Sequence, residues 1–235
     1  TFQNNICNCH YGGGTGLWIT GTPLITFHLC NFVNNVAEKS PGTRSQKPTG
    51  IGNYFSGDGG GTQYGFTASI SNVDMVFDTC LFRDNKAVRH GGAIALQTIK
   101  TIEIINCNFE NNVANYKTSS SELLETNNYF NLKSEGRGGA IYLNSAFSYG
   151  STEYKMTSAK IEDCTFKQNI AFDGYAIYIE GEDKGTTITI NRNTFIDNYN
   201  ENTLSRGKSV ISSEINFSGS ENIPTGNTFT YTNQG

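Results

Sequence analysis

Apolar and polar residues alternate over short stretches that return, in the closest copies, every 27 to 30 residues. Alternation with a period of two is typical of a β-strand with one buried face. Each stretch ends five residues before a phenylalanine, and the alternation slips by one residue in between, which predicts a corner. A further apolar run follows in most copies, for example Ile94 and Leu96. The pattern therefore predicts three short strands per repeat, separated by corners. The alternating apolar pairs are Ile25 and Phe27, Met75 and Phe77, Ile102 and Ile104, Ala159 and Ile161, and Ile188 and Ile190.

Three residue types recur at fixed positions within this repeat. The phenylalanines are Phe32, Phe82, Phe109, Phe166 and Phe195, with Phe2 and Phe229 at the two ends. Three residues after each of the central five stands an asparagine, namely Asn35, Asn85, Asn112, Asn169 and Asn198. Two residues before stands a cysteine in four copies, namely Cys30, Cys80, Cys107 and Cys164. We expect the phenylalanines to stack in the interior, and the asparagines to form corners and bond the next copy.

The spacings between the phenylalanines are 30, 50, 27, 57, 29 and 34 residues, so two of them contain insertions. Short strands repeated at this period predict a parallel β-helix of about seven coils, in which each coil is stable only against its neighbours. We interpret residues 1–235 as one solenoid domain and expect it to be part of a longer chain. The insertions are predicted near residues 38–61, 117–135 and 145–154.

The cysteine column predicts buried free thiols. Stacked coils bring equivalent Cα atoms to about 4.8 Å, but their Cβ vectors run parallel, which does not suit a disulfide. Cysteine also behaves as a small apolar residue, and Asn193 and Asn227 take its place in later copies. The chain has no Cys-x-x-Cys spacing, so we expect no zinc site and no cofactor.

Two motifs in this sequence resemble those of the polymorphic membrane protein repeat family. They are Phe-x-x-Asn and Gly-Gly-Ala-Ile, found together as FRDN with GGAI (82–85, 91–94) and as FENN with GGAI (109–112, 138–141). FKQN with GYAI (166–169, 174–177) is a third, degraded pair. The resemblance implies a right-handed β-helix exposed on a surface and used for adhesion or display.

Composition narrows the classes of partner. The net charge is −4 and charged residues make up 16% of the chain, which argues against a nucleic-acid partner. No apolar run reaches the roughly 20 residues of a membrane span, so we expect no membrane insertion. We also expect the chain not to be an enzyme, because Asp78 and Glu162 share a corner position but Ile105 lies between them. A polysaccharide lyase or hydrolase is the least favoured reading.

Binding candidates lie on the predicted outer surface. Trp18, Tyr142 and Tyr178 occupy the same outward position of the third strand, where an exposed aromatic column would contact a glycan or a partner protein. Simple cross-strand stabilisation explains the column equally well. Asn216 lies in the sequon Asn-Phe-Ser and is a glycosylation candidate in a secreted eukaryotic chain.

The favoured function is structural. We expect an extracellular or cell-surface solenoid that builds a fibre, a coat or another display assembly, and that associates with itself or with neighbouring coils of a longer chain. The alternative is an adhesin that binds a host protein or a glycan.

Overall fold

The structure is a computed structural model that describes residues 1–7, 23–37, 62–64, 73–87, 90–97, 99–114, 136–149, 152–181, 185–199, 210–213 and 226–230. Within these ranges all the regular elements are β-strands. None of the described segments forms a helix with the length and apolarity needed to cross a membrane.

The strands stack in four parallel sheets, each named here by its place in the coil. Sheet 1 contains β3 (Leu24–His28), β7 (Asp74–Asp78), β11 (Thr101–Ile105), β17 (Ser158–Glu162) and β20 (Thr187–Asn191). Sheet 2 contains β1 (Phe2–Gln3), β4 (Asn31–Val33), β8 (Leu81–Arg83), β12 (Asn108–Glu110), β18 (Thr165–Lys167), β21 (Thr194–Ile196) and β23 (Thr228–Thr230). Sheet 3 contains β2 (Ile6–Cys7), β5 (Val36–Ala37), β9 (Lys86–Ala87) and β13 (Val113–Ala114). Sheet 4 contains β6 (Thr62–Tyr64), β10 (Ile94–Gln97), β14 (Ile141–Asn144), β19 (Ile177–Glu180) and β22 (Ile211–Ser213).

The order in which the chain visits these sheets makes the fold a parallel β-helix. The chain runs through β7, β8, β9 and β10 in sheets 1 to 4, and then returns to sheet 1 as β11 beside β7. Equivalent repeat positions pair in register, as Phe82 does with Phe109 and Phe166 with Phe195. The predicted fold class is confirmed. Three strands per coil were predicted, and the structure adds a fourth, the two-residue strand in sheet 3.

The phenylalanine column forms the centre of the core. Six successive pairs of rings stack with centroids 4.7–5.0 Å apart and planes within 10° of parallel. The five central phenylalanines are fully buried, as are the inward residues of sheet 1 such as Ile102 and Ile104. The ring spacing matches the distance between hydrogen-bonded strands, so each coil covers the aromatic face of the one before it.

The buried asparagine column satisfies its own hydrogen bonds from coil to coil. Asn85 Oδ1 accepts from the backbone N–H of Asn35 at 3.1 Å and from Asn35 Nδ2 at 3.0 Å. Asn85 Nδ2 donates to the Phe32 carbonyl at 2.8 Å and to Asn112 Oδ1 at 3.0 Å. Every donor and acceptor of the side chain is therefore used, which makes complete burial of the amide tolerable.

The same bonds recur at Asn112 and Asn169, so the ladder runs unbroken through the described coils. The predicted bonding to the next coil is confirmed, but the asparagines do not themselves turn the predicted corner. Positive φ falls one residue earlier, for example at Asp84 (φ 58°) and Gln168 (φ 55°). That residue turns the corner, and the turn aims the following asparagine inward.

The paired glycines of the Gly-Gly-Ala-Ile motif have two different roles. Gly138 has φ 68°, which a residue with a Cβ rarely adopts. A Cβ on Gly139 would lie 2.0 Å from the Tyr175 carbonyl oxygen and 2.8 Å from the Ile170 backbone nitrogen, so the next coil requires glycine there. The first glycine therefore turns the chain and the second permits close approach of the backbone of the next coil.

The third predicted insertion is an antiparallel hairpin, β15 (Ala146–Tyr149) paired with β16 (Thr152–Lys155). It leaves the solenoid at the corner between sheets 4 and 1. The predicted insertions at 38–61 and 117–135 lie outside the described residues, but the strands they join are described. Both connect sheet 3 to sheet 4, from β5 to β6 and from β13 to β14.

The asparagine ladder yields a stability prediction. Asn112→Ala leaves the buried Asn85 N–H and the Phe82 carbonyl without their partner, and we expect it to lower the free energy of unfolding by about 3 kcal/mol or more. The matched control is Asn108→Ala, an exposed asparagine of the same coil, with an expected change of about 0.5 kcal/mol or less. Denaturant titration measures both, and equal losses would contradict the ladder.

Candidate functional site

The aromatic column that the sequence places on the outer surface lies on sheet 4. Tyr142 pairs in register with Ala95 on one side and Tyr178 on the other. These three residues form an apolar cluster separate from the solenoid core. The two tyrosine rings stack at 6.2 Å with an interplanar angle of 11°. The residues thus lie on the outside of the coil, in the predicted stack.

The prediction that this column is exposed is wrong. Tyr142 is 2% exposed and Tyr178 is 4% exposed. The His90 ring stacks on Tyr142 at 4.6 Å, and the Arg137 guanidinium lies over Tyr178, 4.8 Å from its centroid. Residues at the corner between sheets 3 and 4 therefore fold across the aromatic face, so the argument for sugar binding by exposed rings no longer holds.

Glu180 connects the members of this outer cluster. Its Oε2 accepts a hydrogen bond from the Tyr142 hydroxyl, and its Oε1 lies 3.3 Å from Arg137 Nη1. Both partners of the ion pair are 30% exposed. The Glu180 carbonyl also accepts from the backbone N–H of Ser145 at 2.8 Å, directly before the hairpin. Glu180 therefore joins the corner that follows residues 115–135 to the base of the hairpin.

The sequence did not single out His90, Arg137 and Glu180 as a group. His90 and Arg137 each precede the paired glycines of their coil, and Glu180 follows the apolar run of β19. These positions vary from coil to coil, so no repeat signal marks them. Trp18 and Asn216, the other two binding candidates, lie outside the described residues.

The four cysteines of the column are free thiols, of which Cys80, Cys107 and Cys164 are buried as predicted and Cys30 is only half-buried. Two of these sulfurs also accept a hydrogen bond: the backbone N–H of Cys80 donates to Cys107 Sγ at 3.4 Å, and that of Cys107 donates to Cys164 Sγ at 3.4 Å. In the next coil Asn193 Oδ1 accepts from the Cys164 N–H at 2.9 Å. Asparagine can replace cysteine here because both present an acceptor to the same buried N–H.

These thiols are poor nucleophiles. The hydrogen bond with Cys164, together with burial, raises the pKa of Cys107 to about 12. The hydrogen bond with Cys107 and burial raise the pKa of Cys80 further above its ordinary range. Since the thiolate is the reactive form, the column is suited to structure and not to covalent chemistry.

The charged corner between sheets 1 and 2 holds the carboxylates considered for catalysis. Ile105 pairs with both Asp78 and Glu162, so the two carboxylates are two coils apart. Hydrogen bonds from Thr79 and His28 lower the pKa of Asp78. Glu162 Oε2 lies 3.0 Å from Arg192 Nη2 and 3.2 Å from Lys160 Nζ. In the part of the chain that the structure describes, no three His, Cys, Asp or Glu residues gather as metal ligands.

Sheet register also reveals a copy of the glycine motif within a predicted insertion. Thr62 pairs with Ile94, and in the sequence residues 59–61 precede Thr62 as the Gly-Gly-Ala segment 91–93 precedes Ile94. Residues 59–61 are all glycine, which makes the sequence Gly-Gly-Gly-Thr a divergent form of Gly-Gly-Ala-Ile. Threonine in place of isoleucine hid this copy from the pattern.

Comparison with known families agrees with these repeats. The family model of the Chlamydia polymorphic membrane protein repeat matches residues 106–144. The match runs from the cysteine corner of one coil to the end of β14, so it contains both the FENN and the GGAI motif. Proteins of this family are surface-exposed and membrane-associated.

No curated protein and no solved structure matches the chain. The residues that define the polymorphic membrane protein repeat here, including Phe109, Asn112 and Gly139, are interior or corner residues. The family motif therefore describes how a coil is built, and leaves the outer surface undefined.

The cysteine column predicts that asparagine, but not alanine, can replace a buried cysteine. Cys107→Asn keeps an acceptor for the Cys80 N–H and should change the free energy of unfolding by about 1 kcal/mol or less. Cys107→Ala removes the acceptor and should cost about 1–3 kcal/mol. Denaturant titration of the two variants side by side measures the difference. An alanine variant as stable as the asparagine variant would show that the sulfur serves only to fill space.

Proposed function

We propose that this chain is a display solenoid of an extracellular or cell-surface assembly, which acts through what it carries on its outside and not through catalysis. One observation carries the proposal: the repeating residues point inward or form corners. On the outer face of sheet 2, by contrast, Leu81, Asn108, Thr165 and Thr194 occupy one register position. A position that accepts leucine, asparagine and threonine is free to vary without loss of the fold.

The placement of the inserted segments supports display. The chain between sheets 3 and 4 contains residues 38–61 in one coil, 115–135 two coils later and 200–209 two coils after that. The intervening coils cross the same corner in six residues, 88–93, and in five, 172–176. Longer segments thus leave from one edge of sheet 4, and the β15–β16 hairpin leaves from its other edge.

Surface location is proposed from the repeat type and is tested on intact source cells. We expect a membrane-impermeant biotin reagent to label the chain before permeabilisation as strongly as after it, with a cytosolic protein as the unlabelled control. Labelling that appears only after permeabilisation would contradict the proposal.

Adhesion is a second candidate function, favoured by the clustering of inserted segments along sheet 4. The test replaces residues 115–135 with a single valine, the equivalent of Val88, so that this connection has six residues as it does at 88–93. The expected result is a stable fold, with the free energy of unfolding within about 1 kcal/mol of the parent, because surface insertions contribute little to stability. Loss of binding to a glycan array or to host-cell protein in this variant would establish adhesion through the insertion.

For a structural assembly, the proposed partner is a second copy of this chain or a neighbouring coil of a longer chain. Filaments seen by electron microscopy, and kept by the variant that lacks residues 115–135, would favour a fibre or coat. If neither binding nor assembly changes in that variant, residues 115–135 have no role in display.

A further inference from the structure

His90 packs on the outer cluster of sheet 4, and the geometry of its hydrogen bond fixes its protonation state. His90 Nδ1 lies 3.3 Å from the backbone nitrogen of Arg137, with the N–H directed at it. A backbone N–H can only donate, so Nδ1 must be the unprotonated nitrogen of the ring. His90 is 6% exposed and stacks on Tyr142, so it is neutral and buried in the folded chain.

The bond joins two coils at a corner. Arg137 directly precedes the paired glycines Gly138 and Gly139, and its own carbonyl accepts from the Gly91 N–H at 2.9 Å. His90 and Gly91 of one coil therefore hold the backbone of Arg137 of the next from both sides. Through this corner the chain passes from residues 115–135 into β14.

The charged and titratable groups at this corner include Arg137, Tyr142, Tyr178 and Glu180, and also Asp173, which pairs with Arg137 in the following coil. The Arg137 guanidinium already brings one positive charge to the cluster. The Glu180 carboxylate is bonded to that guanidinium and to the Tyr142 hydroxyl. A proton on Nδ1 would remove the acceptor for the Arg137 N–H and add a second positive charge.

We propose that His90 is an acid-sensitive latch, which holds the Arg137 backbone while its ring is neutral and releases the corner at residues 136–140 when the ring takes up a proton. The unfolded or loosened chain offers an ordinary imidazole that takes up a proton near pH 6.5. The latch is therefore closed above that pH and opens as the pH falls below it. This inference does not depend on the proposed display function.

His28 provides an internal contrast. Its Nδ1 lies 2.9 Å from Asp78 Oδ2, and its side chain is 57% exposed. His28 ends β3 in sheet 1 and does not lie at the corner between sheets 3 and 4, so its replacement is the matched control.

Hydrogen–deuterium exchange of the full chain tests the latch. We expect protection of the Arg137 amide, corrected for intrinsic exchange, to fall about tenfold between about pH 7.5 and pH 5, the loss expected from one hydrogen bond. Protection of β11 should not change over the same range. His90→Gln should remove the pH dependence at the corner, and His28→Gln should leave it as in the parent.

Nitrogen NMR of the parent chain with labelled histidine keeps the proposal testable if His90→Gln does not fold. The expected spectrum shows His90 as the neutral Nε2–H tautomer at about pH 7.5, and doubly protonated over the pH range in which the corner opens. A His90 ring that is doubly protonated at neutral pH, or corner protection that is the same at both pH values, would overturn the proposal.

Discussion

The amide of the buried asparagine column is the interaction on which the rest of the solenoid depends. A single coil has almost no interior of its own, so burial is possible only between coils. The asparagine side chain is polar and fully enclosed, and it is tolerated because each of its hydrogen bonds ends on the neighbouring coil. This fixes the register of the stack, since a shift of one residue would leave the amides without partners.

Other features of the repeat follow from that register. The phenylalanines stack because the same one-to-one pairing brings their rings to about the spacing of hydrogen-bonded strands. The cysteine column repeats the logic of the asparagine column with a weaker acceptor, which is why Asn193 can continue it. Gly139 is needed because the next coil approaches so closely. The residues of the family motif thus build the stack, and the residues that vary between coils lie on its outer surface.

Much of the interior could be predicted from the sequence because a solenoid converts a periodic sequence directly into columns. The phenylalanine, asparagine and cysteine columns were each predicted from spacing alone. The corner was predicted at the asparagines, but the chain turns one residue earlier, at Asp84, Asn111 and Gln168. These residues differ in type and share only their conformation, so no repeated residue type marks the turn. The outer tyrosines were predicted to be exposed because the repeat predicts which face a residue occupies. It does not predict which corner side chains fold over that face.

The central claim is that side-chain amides inside the stack hold the coils together, and their own exchange rates test it most directly. Hydrogen exchange of the Nδ2 protons of Asn85, Asn112 and Asn169, followed by NMR, separates them from exposed Asn108. The account predicts that the three buried amides exchange as slowly as the backbone amides of β11, because opening them requires separating coils. Exchange of the buried amides as fast as that of Asn108 would contradict it.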